Sequence, residues 1–171
     1  LLRELGASDR REIREQIVQI GWQVQRSDLD QNIKQEFYSF AKSEIEEQSK
    51  KVPNDARFPV FLSTLLLQNG DVDGAILYAE KARQLSPNKQ PILFQIGSAY
   101  LSKLEYEKAL EVFKKAYDLD PTYNEAHMNY VVGLVFAGKD KEADELLDAR
   151  FGSPLVYDQR LISVYTMTKK Y

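Results

Sequence analysis

The stretch Gln90–Tyr123, QPILFQIGSAYLSKLEYEKALEVFKKAYDLDPTY, decides the fold. Its apolar residues return at helical spacing in two blocks, Leu93, Ile96, Gly97, Tyr100 and Leu101, then Ala109, Phe113 and Ala116. The spacing predicts helices over Gln90–Ser102 and Tyr106–Leu119, joined by a tight turn and stopped by Asp120-Pro121. Outward from it, Pro53, Pro87, Pro121 and Pro154 are spaced 34, 34 and 33 residues apart. A fixed period of that size is the mark of stacked helix pairs rather than of one irregular domain.

The neighbouring periods follow the same plan. Ala56–Gln68 and Asp73–Leu85 form the preceding pair, with Asn69-Gly70-Asp71 as the turn and Ala75, Ala79 and Ala82 as a small face that permits close approach. Asn124–Ala137 and Asp140–Arg150 form the following pair, turned at Gly138. Leu155–Tyr171 starts the pattern again: Leu161, Ile162 and Tyr165 match Ile96, Gly97 and Tyr100, and Tyr171 matches Tyr106. Upstream, a helix is predicted over Asp9–Arg26, capped by Ser8 or Asp9 with Glu12, and a second over Leu29–Lys51 with Ser27 or Asp28 at the junction. Ile13, Ile17, Ile20 and Val24 mark the core side of the first, and Leu29, Ile33, Phe37, Phe40, Ala41 and Ile45 that of the second. Trp22 is expected to pack on a neighbouring helix. The resulting domains are 1–55 (a divergent helical pair), the units 56–89, 90–123 and 124–154, and 155–171 as the first helix of a truncated or capping unit.

Gln90–Tyr123 resembles a tetratricopeptide repeat: Leu93, Ile96-Gly97, Tyr100, Ala109, Phe113, Ala116 and Pro121 occupy that family's pattern. Ala56–Asn88 keeps Ala75, Ala82 and Pro87 but has Ser63 for the glycine and Leu66 for the tyrosine; Asn124–Tyr157 keeps Ala143 and has Arg150 at the last small position. The resemblance implies an all-α, right-handed tetratricopeptide superhelix, an α-solenoid of antiparallel helix pairs. The run Asn54–Leu101 is also similar to the tetratricopeptide tail of bacterial O-antigen ligase-like membrane proteins. That second resemblance implies a soluble regulatory tail beside a membrane glycan ligase or polymerase, although none of the catalytic loops of such enzymes occurs in these residues. The chain starts at Leu1 without a signal peptide and stops inside a repeat, so an excised part of a longer protein is expected, and the compartment is left open.

Composition narrows the chemistry. With 43% apolar and 29% charged residues the chain has enough material for a core, and a net charge of -3 spread along the length provides no basic stripe for nucleic acid. No apolar run is long enough to span a bilayer, so no direct membrane insertion is expected of this segment. The absence of cysteine excludes disulfides, thiolate metal sites and cysteine nucleophiles, and His127 is the only histidine, expected on a helix surface or groove edge. Gly133-Leu-Val-Phe-Ala-Gly138-Lys139 imitates a phosphate loop but is followed by Asp140 and lacks a preceding strand, so it reads as an interior glycine plus an inter-helix turn. Asp140, Glu142, Asp144 and Glu145 suit a helix start, and Lys114-Lys115 and Lys169-Lys170 are exposed charge. No catalytic set, metal site or cofactor follows from these residues.

What remains is the face that the first helix of each tetratricopeptide pair turns to the concave side. Its residues are Val60, Thr64 and Leu67, then Phe94, Ser98 and Leu101, then Met128, Val132 and Val135, flanked by Arg57, Gln95 and Asn129. This face is mostly apolar, which suits an amphipathic helix or an apolar extended segment rather than a carboxylate clamp. The expectation is a non-catalytic protein-binding scaffold. Its alternatives are the glycan-enzyme tail and a structural segment that forms a homo-oligomer through its C-terminal helix, and internal packing of the same face competes with binding.

Overall fold

The structure, a computed structural model, describes the backbone of residues 7–168 and the side chains of residues 16–168. Nine helices and no strand occur among the described residues: α1 Ala7–Arg26, α2 Gln31–Lys51, α3 Arg57–Gln68, α4 Val72–Leu85, α5 Gln90–Ser102, α6 Tyr106–Leu119, α7 Asn124–Phe136, α8 Asp140–Phe151 and α9 Gln159–Thr168. The chain divides into two compact units, Leu1–Pro87 and Asn88–Tyr171.

In the first unit α3 and α4 form a helical hairpin, and α1 and α2 pack on α3. Ile17 and Val18 of α1, Ala41 and Ile45 of α2, and Phe58, Leu62 and Leu65 of α3 make its core. Ala75, Ala79 and Ala82 of α4 are wholly buried, so this helix approaches α3 through side chains no larger than a methyl group. The Asp71 side chain starts α4 by accepting from the Gly74 amide at 2.9 Å, and the Asp30 carboxylate starts α2 by accepting from the Asn32 amide at 2.7 Å.

Several upstream expectations need correction. The α1 helix already runs from Ala7, so Ser8 and Asp9 lie inside it, and Asp30 rather than Ser27 or Asp28 caps α2. Leu29, Ile33 and Phe40 are exposed, as is Ile20, and only Ala41 and Ile45 of the expected α2 stripe are fully buried. Trp22 is half exposed and lies under the Arg26 guanidinium, 5.9 Å from its ring, instead of packing into a core. The stripe on α2 is wider than the face α2 buries, because α2 needs only a narrow contact with α1 and α3.

In the second unit the hairpins α5–α6 and α7–α8 stack, with α7 lying on α6 and touching α5. Phe113 of α6 is the wedge of this stack. Its ring occupies the space where a Cβ on Gly97 would stand, and a Cβ on Gly133 would come within 3.0 Å of the same ring and 3.3 Å of the Leu110 Cα. Glycine at both places lets α5 and α7 close on one aromatic side chain. Gly133 is therefore a packing residue inside a helix, and the phosphate-loop pattern is an imitation, as expected. The inter-helix turns repeat as strictly as the core: Gly70, Leu104 and Gly138, each 34 residues from the next, all have positive φ, at 82°, 60° and 75°. Leu104 thus adopts, in the best-matched repeat, a left-handed conformation that costs a branched side chain roughly 1–2 kcal/mol.

The C-terminal helix departs from the repeat. The pattern placed a helix from Leu155, whereas α9 begins only at Gln159, one turn later. Asp158 sets that start: its carboxylate accepts from the Arg160 amide at 2.8 Å and its carbonyl from the Ile162 amide at 3.0 Å. Where α7 lies on the second helix of the preceding pair, α9 packs on α7, the first helix of its own preceding pair. The matches expected at Tyr171, Lys169 and Lys170 lie outside the described residues.

Candidate functional site

The first helices carry one face that their own pairs leave uncovered. At about 3.6 residues per turn, Val60, Thr64 and Leu67 share one side of α3, and Phe94, Ser98 and Leu101 share one side of α5. On α3 all three are half-buried, and the Thr64 hydroxyl is satisfied by the Val60 carbonyl at 3.1 Å. Arg57 flanks them, exposed, with its guanidinium paired to Asp55. On α5, Ser98 is exposed, and Phe94, Gln95 and Leu101 are half-buried. The Phe94 ring lies 6.1 Å from that of Tyr123, and Leu101 rests against the core of its unit.

On α7 the corresponding residues are not open. Met128, Val132 and Val135 are 1%, 7% and 0% exposed, and only the flanking Asn129 is half-buried, which corrects the expectation of an open apolar surface there. The cause is α9. Leu161 and Val164, 2% and 1% exposed, join Met128, Val132 and Val135 in one apolar cluster. An ion pair holds the entrance of this contact: the Arg160 guanidinium meets Glu125 in the first turn of α7 at 2.7 Å and its own helix start, Asp158, at 2.9 Å. The outer side of α9 shows Ile162 and Met167 to solvent, and the hollow between α8 and α9 is lined by Leu155, Tyr157, Ile162 and Tyr165 against Asp140 and Asp144.

Sequence reasoning did not find this cover, although a signal was present. The run Tyr130–Phe136 is apolar on every side of the helix, and a helix apolar all round is a buried one. The same fact relocates His127. It is 3% exposed rather than on a surface, set edge-on between Tyr117 of α6 at 5.7 Å and Phe151 of α8 at 5.8 Å, with its Nε2 buried and without a hydrogen-bond partner. Burial, and to a smaller degree the Arg150 charge, hold its pKa below the ordinary value. As pH falls below about 6.5 the unfolded chain takes up a proton at this position before the folded chain does, so stability falls with pH. The free energy of unfolding in urea should drop between about pH 7 and pH 5, by at most about 1.4 kcal/mol per pH unit from this residue, and His127→Phe should flatten that slope.

Arg150, at the position where the pattern has a small residue, is exposed; its guanidinium donates to the Pro121 and Thr122 carbonyls at 2.9 and 2.8 Å. It ties α8 to the preceding inter-pair loop without entering the core. Among the described residues no group of three or more His, Cys, Asp or Glu side chains is placed to hold a metal ion, and no helix is long and apolar enough to cross a membrane.

Comparison with known proteins agrees with this architecture. Residues 91–123 match the tetratricopeptide repeat family model. Solved structures with the same fold include a thermophilic tetratricopeptide-repeat protein of Thermus thermophilus, 18% identical, with a TM-score of 0.62 over 91% of this chain and 82% of that one. The MamA protein is 15% identical, with a TM-score of 0.58 over 92% of this chain and 76% of that one. An O-GlcNAc transferase of Thermobaculum terrenum is 16% identical, with a TM-score of 0.59; the match covers 81% of this chain and only 26% of the transferase. The fold is that of the all-α tetratricopeptide class, built from antiparallel helix pairs. Within that class, residues 91–123 match the tetratricopeptide repeat and are the regular repeat of this chain.

Proposed function

We propose that this chain is a non-catalytic protein-interaction scaffold that takes apolar helical segments of a partner on the open faces of its first helices, the α3 face and the α5 face each acting within its own unit. The face on α3 is Val60, Thr64 and Leu67 with Arg57 beside it; the face on α5 is Phe94, Ser98 and Leu101 with Gln95 beside it. The supporting observation is α9. The α9 helix packs on α7, its Leu161 and Val164 share one buried apolar cluster with Met128, Val132 and Val135, and its Arg160 pairs with Glu125 of α7. A surface of this chemistry thus accommodates a helix with apolar residues three apart and one cation at its start, a recurring mode of peptide recognition. In this reading Met128, Asn129, Val132 and Val135 are a partner-binding surface already occupied from within the chain.

The test is fluorescence anisotropy with a labelled peptide of the α9 sequence, Asp158–Thr168, titrated with the full chain. Saturable binding is expected, weakened roughly tenfold in Phe94→Asp and in Thr64→Asp, because each places a carboxylate under an apolar ligand face. Unchanged binding by both variants, at unchanged melting temperature, would remove the open faces from consideration.

A further inference from the structure

A second surface lies on the other side of α3. Pro59 and Leu62 are roughly opposite Val60, Thr64 and Leu67 on the helix, and together with Leu85 of α4 they floor a hollow of about 570 Å³ between the C-terminal halves of α2 and α4. That size falls within the roughly 300–1,000 Å³ of small-ligand pockets. Its rim carries Lys50 of α2 and Lys81 of α4. Their chain neighbours Lys51 and Arg83 are committed to ion pairs with Glu47 and Glu80. Lys50 and Lys81 belong to no ion pair among the described residues, and the Lys81 ammonium is 4.4 Å from the ring centre of Tyr78. The one carboxylate of the lining, Glu46, is engaged by the Tyr78 hydroxyl, which donates to it at 3.5 Å. An apolar floor beneath two ammonium groups that belong to no ion pair, against the single carboxylate of Glu46, suits an apolar side chain with an acid next to it.

We infer that this hollow docks a short acidic-apolar segment of a partner protein, a leucine-like side chain seated on Pro59, Leu62 and Leu85 and a neighbouring carboxylate paired with Lys50 and Lys81. The segment differs in charge from the apolar helix assigned to the open faces, and the two surfaces are tested separately.

The experiment is a two-dimensional ¹H–¹⁵N titration of the full chain with a blocked pentapeptide of sequence Ala-Glu-Leu-Glu-Ala. Two control peptides replace both acids by glutamine or the leucine by alanine. Shifts are expected at the amides of Ser49, Lys50, Tyr78, Lys81 and Leu85. Both controls should bind more weakly, and Lys50→Glu/Lys81→Glu should weaken the parent peptide roughly tenfold at unchanged melting temperature. Equal binding of the glutamine peptide, or of the double variant, would overturn the proposal and leave the two lysines only the task of offsetting the helix C-termini. Shifts confined to Val60, Thr64 and Phe94 would overturn it in favour of the open faces.

Discussion

Phe113→Ala should destabilise the second unit by about 3–5 kcal/mol, the largest effect expected of any single truncation in the chain. The ring is 1% exposed and fills the space between two glycines that belong to different repeats, Gly97 and Gly133. Removing it leaves a cavity that neither α5 nor α7 fills, since the facing residues have no side chain to move inward. The reverse experiment is equally informative. Gly97→Ala drives a methyl group into the ring and should cost about 1–3 kcal/mol through overpacking. Combined with Phe113→Leu, Gly97→Ala should cost less than the sum of the two single changes, because the smaller side chain vacates the contested space. The only tryptophan, Trp22, belongs to the first unit, so the unfolding is best followed by far-ultraviolet circular dichroism together with hydrogen exchange at α5–α7. A cost below about 1 kcal/mol for Phe113→Ala would mean that the ring is not the wedge of this stack.

Leu161→Asp/Val164→Asp should release α9 and leave the rest of the second unit folded. The two native side chains together contribute roughly 3–6 kcal/mol of apolar burial to the contact, and two carboxylates without partners cannot stay in their place. The exchange protection of α9 amides should vanish while that of α5 and α6 persists. Met128, Val132 and Val135 then face water, so binding of a dye that reports exposed apolar surface should rise. Adding the Asp158–Thr168 peptide should reverse that rise, since the vacated face keeps its shape. Collapse of the whole unit instead would show that α9 is an integral part of the core and not a cover.

Both results bear on how much the sequence could tell. The pairs are legible because their determinants are local and periodic. The bounds of α5 and α6 follow to the residue from the Leu93–Pro121 pattern, and the turns at Gly70 and Gly138 from their glycines. The turn at Leu104 is implied by register alone, in spite of a residue that disfavours its conformation. Helical spacing likewise fixes that Val60, Thr64 and Leu67 share one side of α3, and Phe94, Ser98 and Leu101 one side of α5. Position in the repeat does not say whether that side is then covered. Met128, Val132 and Val135 are in the right register and yet buried, in a cluster to which α6, α8 and α9 all contribute. Placing His127 on a surface gives one polar residue more weight than the apolar run it stands in. The first two helices are the least legible: Leu29, Ile33 and Phe40 have core spacing but no helix packed on them among the described residues. The similarity of Asn54–Leu101 to O-antigen ligase-like tails rests on the sequence alone.

The reading of this chain as a scaffold for apolar helices stands on α9 lying across the Met128 face of α7. Methyl–methyl nuclear Overhauser effects in the full chain, with Leu, Val and Met methyls labelled, measure that contact directly. Cross-peaks from Leu161 and Val164 to Met128, Val132 and Val135 are the expected result. Cross-peaks from Leu161 and Val164 to Leu147 of α8, with none to Met128, would place α9 as one more in-line helix of the stack and contradict it.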